Sequence, residues 1–375
     1  MTVGELIREL RCALGWSQGR LASKLCDAAR YETITRNDVS RWEHGKRHPG
    51  PFWLRHLAAV LQVPSDVLEG TDVRRREFLT NLAATVIAPV VAADLIETGY
   101  AAALRGGYPT IDDWQAKIAE YGHDYMTLGA AQMQRRLAGD LVVLQQQLED
   151  PALWAVAAKL MTVYGKTIPG ADGAKAVRWY RMAATAADRS GDPAVRVWVR
   201  GRAALALGYE GASLPIASSL AEQALAIGGR PSLGTLNAVM AKAHVAAIQG
   251  DKPAALKLLD QGRAIFDRVG SHEQESDFAV PEWRMAVFSS LLLARLGEER
   301  HALAEQEIAA KALPGSLPRF ATHLELHRGL MLVRAGDREG GAAYAHAALA
   351  KLPPERHSLT LRLLLAEIEA AASSQ

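Results

Sequence analysis

Cysteine is nearly absent from this chain: 375 residues hold two, Cys12 and Cys26, too few for a disulfide framework or a cysteine-rich metal site. That scarcity fits a reducing compartment, the cytoplasm. Long apolar runs are missing too. The best candidate, Phe78 to Val91, is broken by Thr80, Asn81, Thr85 and Pro89, so no membrane span is expected. Arg74-Arg75-Arg76-Glu77-Phe78-Leu79 just before it has the outward look of a twin-arginine export signal. Export signals open a chain, however, and this one follows a whole domain's worth of sequence. A linker running into a buried helix is the expectation.

Signatures of catalysis are absent as well. There is no glycine-rich phosphate loop, no His-Glu-x-x-His run and no nucleophile elbow, so neither enzyme activity nor a cofactor or metal is expected. The eleven histidines are scattered. His323 and His327 share a helix face at i, i+4, but no third ligand is evident. Asp112-Asp113 and Glu298-Glu299 fall in expected turns and read as caps or solvated surface. No β-rich segment longer than a few residues is visible, and the whole chain is expected to be all-α.

Net charge is small, +2, and its distribution is more informative. Residues 1–76 carry 13 Lys/Arg against 9 Asp/Glu, leaving 30 basic and 32 acidic residues for 77–375. The basic excess therefore lies where phosphate contacts would need it. With 49% apolar and 22% charged residues, the composition is that of an ordinary globular protein, long enough for two or more units.

Residues 3–14 read as a helix with Leu6, Ile7, Leu10 and Leu14 on one side, ended by Gly15. Ser17 is placed to cap a second helix, Gln18 to about Ala28, with Leu21, Ala22 and Leu25 inward. Thr35 and Asp38 form a capping-box pair opening a third helix through Val39 and Trp42 to near Gly45. A fourth covers 51–62 with Leu54, Leu57, Ala58 and Leu61 inward, and Val63-Pro64-Ser65-Asp66 begins a short turn ending at Leu68.

The segments Leu10-Arg11...Gly15-Trp16-Ser17-Gln18...Leu21-Ala22...Leu25 and Val39-Ser40-Arg41-Trp42-Glu43-His44-Gly45, continued by Arg47-His48-Pro49 and Leu57 to Pro64, resemble the phage-repressor-like helix-turn-helix regulators of the XRE type. The resemblance implies that 36–44 is a recognition helix for the major groove of double-stranded DNA. It places Arg36, Asn37, Ser40 and Arg41 at base edges, and Gln18, Thr35, Lys46, Arg47 and His48 at phosphates. It also implies a structural ion pair between Arg11 and Glu43. One departure from the pattern is the long link, Cys26 to Ile34, which would either extend the second helix or form a loop beside the backbone, where Arg30 and Tyr31 would be extra phosphate contacts.

From Phe78 onward the sequence is rich in Ala and Leu, interrupted over 99–113. Beyond about residue 150 helices come in pairs: Pro193–Leu207 with Leu214–Ile227, Leu236–Ile248 with Pro253–Phe266, Trp283–Leu296 with His301–Ala312, and Phe320–Ala335 with Glu339–Lys351. Gly211, Gly250, Gly297 and Gly336 mark the turns. The pattern resembles the tetratricopeptide family and implies a right-handed helical solenoid. Its concave face is the expected effector groove, with Arg135, Arg136, Tyr164, Trp179, Arg200, Arg202 and Asn237 as candidate liners. Trp154, Trp179, Trp198 and Trp283 read first as core.

The expected organisation is a helix-turn-helix domain over 1–70, a linker over 71–77, a helical connector and dimerisation region over 78–150, and a tetratricopeptide-like domain over 151–375. Regulators of this design include peptide-sensing bacterial families, and the long-linked head followed by Arg-Arg-Arg-Glu-Phe-Leu is similar to actinobacterial members. The resemblance implies a nucleoid-associated homodimer on a pseudo-palindromic operator, with a peptide or small-molecule effector. The competing classes are a protein-interaction scaffold and a defence or toxin–antitoxin adaptor carrying the same head.

Overall fold

The structure is a computed structural model that describes residues 2–13, 16–31, 33–61, 108–168 and 174–373. Among these residues all regular structure is helical. The expected turn over 63–68, the arginine-rich connector, the apolar stretch to Val91 and the side chains of Leu10 and Leu14 lie outside the described residues. The chain divides into two compact units, Met1–Asp94 and Leu95–Gln375.

In the first unit, α1 (Val3–Ala13), α2 (Gln18–Ala29), α3 (Arg36–Glu43) and α4 (Pro51–Leu61) form a helix-turn-helix bundle. Each contributes the apolar positions that recur at helical spacing: Leu6 and Ile7, Leu21 and Leu25, Val39 and Trp42, Leu57 and Leu61 are all buried in one core. Ser17 caps α2, its hydroxyl accepting from the Arg20 N–H at 3.1 Å, an interaction worth about 1 kcal/mol. Gly4 sets the approach of α1 to α3, because a Cβ there would sit 2.1 Å from the Trp42 carbonyl oxygen.

Of the two alternatives for the link between α2 and α3, its first part takes the helical one. Residues 26–29 continue α2, and Arg30 ends it in the left-handed conformation, φ 51° and ψ 39°. The Arg30 N–H then donates to the Asp27 carbonyl at 3.3 Å and the Tyr31 N–H to that of Cys26 at 3.1 Å. These bonds satisfy carbonyls that the helix end would leave bare.

In the second unit, α5 (Ile111–Thr127) and α6 (Ala130–Leu144) precede a solenoid-like array of packed hairpins. The hairpins are α7 (Pro151–Thr167) with α8 (Ala174–Ser190), α9 (Pro193–Glu210) with α10 (Leu214–Ile227), and α11 (Leu233–Ile248) with α12 (Lys252–Val269). They continue with α13 (Glu282–Arg295) and α14 (Glu299–Ala312), then α15 (Pro318–Arg334) and α16 (Arg338–Ala350), and α17 (Leu359–Ser373) follows. The turn glycines Gly211, Gly250, Gly297 and Gly336 take φ of 72°, 80°, 69° and 104°, where a Cβ would be strained. Each first helix also packs on the first helix of the next pair. The α9–α11 crossing is closest at Gly201, where a Cβ would lie 2.1 Å from the Gly234 carbonyl oxygen.

Trp283 is fully buried, as expected, whereas Trp154 and Trp198 pack against the core while only half-buried. Asp113 does serve as a cap: the Thr110 N–H donates to its carboxylate at 2.8 Å. Helix α17 packs on α15 and α16 and reaches back to α9, burying Leu361, Leu364 and Ile368.

Candidate nucleic-acid interface

Helix α3 has two faces. Val39, Trp42 and Glu43 are buried, Ser40 is half-buried, and Arg36, Asn37 and Arg41 are exposed. Among the described residues no hydrogen bond holds the side chains of Arg36, Asn37 or Arg41. The helix begins at Thr35, whose N–H and hydroxyl both donate to the Asp38 carboxylate, at 3.0 and 2.7 Å. This bonding draws the Asp38 carboxyl below its ordinary value, the Thr35 hydrogen bonds leading and Arg41 and Arg47 adding to them. A pre-formed first turn holds Arg36 and Asn37 at the helix N-terminus, the end that enters the groove in this class of domain.

The buried end of α3 is fixed by Glu43. Arg11 Nε donates to Glu43 Oε1 at 2.6 Å and Arg11 Nη2 to Oε2 at 3.1 Å, a fork-on-fork arrangement. Gln18 Nε2 donates to Oε2 at 2.7 Å, and Arg11 Nη1 to the Trp16 carbonyl oxygen at 2.6 Å. One carboxylate therefore ties α1, α2 and α3 together. Gln18, expected at a phosphate, turns half-buried towards Glu43, leaving only its second amide hydrogen for another partner.

Lys46, Arg47 and His48 follow α3 and are exposed, as is Thr35. Arg47 lies 3.9 Å from Asp38, too far for a strong pair. Arg20 and Arg30 are exposed on α2 and its cap, and Lys24 lies 5.2 Å over the half-buried Trp16 ring. Exposed Arg36, Arg41, Lys46 and Arg47 thus cluster on the third helix and the residues just after it.

Residues 7–68 match the helix-turn-helix family. The bundle of α1 to α4 is a helix-turn-helix domain. A comparison with curated protein sequences gave no match. Among solved structures, the crystal structure of Bacillus thuringiensis PlcR in complex with the peptide PapR7 and DNA aligns at 14% identity over 93% of this chain and 99% of that one. Its TM-score of 0.27 is too low for the superposition to carry an argument about fold or function.

The residues expected to line an effector groove do not share one place. Tyr164 and Trp179 meet, ring centroids 4.3 Å apart, over an apolar pocket that also contains Met161 and Met182. Arg136 is exposed and paired with Glu120 and Asp124, while Arg135 is exposed. Arg200 is buried against Asp188 at 2.7 Å, and Asn237 is buried within α11. Arg202 lies in a different cavity, bonded to Asp277 at 2.8 Å.

Asp277 carried no signal in the sequence. It sits between α12 and α13 and accepts from Lys166 at 2.5 Å, Arg202 at 2.8 Å and Arg284 at 2.6 Å. Burial alone would raise its carboxyl, but the charges of Arg202, Lys166 and Arg284 outweigh that and hold it well below the carboxylate range. Among the described residues no group of His, Cys, Asp and Glu is arranged to hold a metal ion, and no helix is long and apolar enough to cross a membrane.

Proposed function

We propose that this chain is a sequence-specific, DNA-binding transcription regulator in which α3 enters the major groove. Arg36 and Asn37 read base edges from its first turn, with Ser40 and Arg41 one turn further on. Thr35, Lys46, Arg47, His48 and the free hydrogen of Gln18 hold the phosphates, joined by Arg30 beyond α2. The observation that carries the reading is the outward face of α3: cationic and amide side chains that make no hydrogen bond among the described residues, on a helix whose other face is locked by Glu43. A carboxylate so enclosed is scaffold, since it would repel phosphate if it faced the duplex.

The regulator acts as a homodimer, placing two recognition helices one helical turn apart on a pseudo-palindromic site. Residues 1–70 read DNA, 71–77 link, 78–150 support dimerisation, and 151–375 form a tetratricopeptide-like body that responds to a peptide or small-molecule effector in the cytoplasm. Tyr164 with Trp179, and separately Arg202, are the expected liners that face pockets.

Genome-wide capture of bound DNA in the native host tests the reading, with Arg36→Ala/Arg41→Ala as control. Sharp two-fold-symmetric peaks that vanish in the control support it. Diffuse capture unchanged by the control overturns it in favour of a scaffold.

A further inference from the structure

Three of the second unit's buried polar side chains, Arg202, Arg284 and His323, line one cavity of about 60 Å³. Its walls come from α5, α7, α9, α13, α15 and the start of α17. Four basic side chains line it: Lys166, Arg202, Arg284 and Arg319. Of the two carboxylates close by, Asp277 is shared by three of them. Glu210 faces the cavity, and its burial raises the carboxyl to about 7, so near neutrality it supplies only part of a negative charge.

Arg319 pairs with no carboxylate among the described residues. Its Nη2 donates to the Tyr125 carbonyl oxygen, and its guanidinium lies 5.2 Å from the ring centroids of both Tyr125 and Phe320. Lys166 sits 3.6 Å over the Tyr125 ring. Aromatic faces attract cations but do not cancel their charge. Arg284 adds a second unmet demand, because its buried Nε has no hydrogen-bond partner. Burial and the neighbouring Arg202 push the Lys166 amine well below its ordinary value, against the pull of Asp277. The three guanidiniums, Arg319 half-buried and the others buried, still outnumber the two carboxylates, and such an excess of positive charge favours a counter-charge. Leu205, Val287 and Phe320 make part of the wall hydrocarbon, which suits a ligand with a short carbon skeleton and not a fully oxygenated ion.

We propose that this cavity binds a small organic carboxylate, its oxygens held by Arg284 and Arg319 and its carbon atoms against Leu205, Val287 and Phe320. Arg202 adds to the field that draws the anion in. The site goes beyond the DNA-binding reading and stands without it: every residue belongs to the second unit, and its test needs no DNA.

The test is calorimetric titration of the full chain with acetate, propionate and succinate, beside inorganic phosphate, all at matched ionic strength, with thermal unfolding in parallel. Saturable heat with at least one carboxylate is expected, together with a melting temperature that climbs with ligand concentration as linkage requires. Arg319→Gln should weaken binding by about tenfold or more, as loss of a buried charge partner does. Glu210→Gln removes a competing negative charge and should tighten binding, a direction that misfolding cannot mimic. No saturable heat with any carboxylate would overturn the proposal. So would phosphate binding as tightly as the carboxylates, or wild-type affinity in both variants.

Discussion

Arg11 and Glu43, 32 positions apart, meet through two near-parallel N–H···O bonds of 2.6 and 3.1 Å, and Gln18 adds a third at 2.7 Å. The Glu43 side chain is 1% exposed and that of Arg11 12%, so water cannot replace either partner. Glu43→Ala should destabilise the N-terminal unit by about 3–5 kcal/mol, the usual cost of stranding a buried charge. Denaturant unfolding followed by Trp42 and Trp53 fluorescence would measure it; a loss below 1 kcal/mol would make the pair no better than a surface one.

Base contacts and phosphate contacts separate by their salt and sequence dependence. Arg41→Ala should cut affinity for the preferred site by about 1–3 kcal/mol and flatten discrimination between sites. Lys46→Ala should weaken every sequence alike and lower the salt slope by roughly one unit. Binding isotherms on matched and scrambled duplexes at several salt concentrations distinguish the two, and equal losses would sink the assignment of roles.

Arg30 occupies left-handed backbone at φ 51°, a conformation that costs a residue with a Cβ about 1 kcal/mol. Arg30→Gly should stabilise the first unit by up to about that amount and raise its unfolding midpoint. If Arg30 also touches phosphate, the same variant binds all duplexes more weakly. Melting and binding measured on one preparation read both effects.

His244, His323 and His327 are buried together around Tyr209, whose hydroxyl lies 3.1 Å from His327 Nε2. Burial lowers all three imidazoles below the ordinary value of 6.5, His323 to about 3, with neighbouring positive charge adding to it. The unfolded chain therefore takes up these protons first. Their contribution is fully present above pH 6.5 and is lost as the pH falls towards the folded values. Glu210 opposes them: its raised value, about 7, gives the folded state the proton first and adds stability on acidification. Between pH 6.5 and 4.5 three groups against one leave a net loss of at most about 3 kcal/mol per pH unit. Calorimetric scans of the full chain at a series of pH values should show the second unit melting earlier in acid; a flat profile to pH 5 would mean these histidines are hydrated.

What was legible in the sequence was local. Helical spacing at Leu6, Leu21, Val39 and Leu57 and glycines at Gly211, Gly250, Gly297 and Gly336 announce helices and turns because the physics acts within a few residues. The end of α2 near Ala28 was legible to within a residue, but nothing in Arg30 itself announces a left-handed cap. The hairpin of α7 and α8 went unpaired for want of a matching glycine turn. Arg202 was singled out as a groove liner for being a cation on an Ala-rich helix, but its partners were beyond reach. Lys166, Asp277, Arg284 and Arg319 come from α7, a loop, α13 and α15, and only the tertiary fold brings such scattered charges together.

The backward reach of α17 has a consequence for how the second unit is made. Thr360 donates to Glu210 across 150 residues at 2.7 Å, and Arg295 to Glu367 across 72 at 2.8 Å. An open stack of repeats grows by neighbours and frays from its ends. A stack in which α17 clasps the much earlier α9 has a long loop to close, which slows folding and delays completion of the α9–α17 contact until α17 has been synthesised. Once made, that clasp ties the stability of an early hairpin to α17, so the domain should open as one body instead of peeling away hairpin by hairpin.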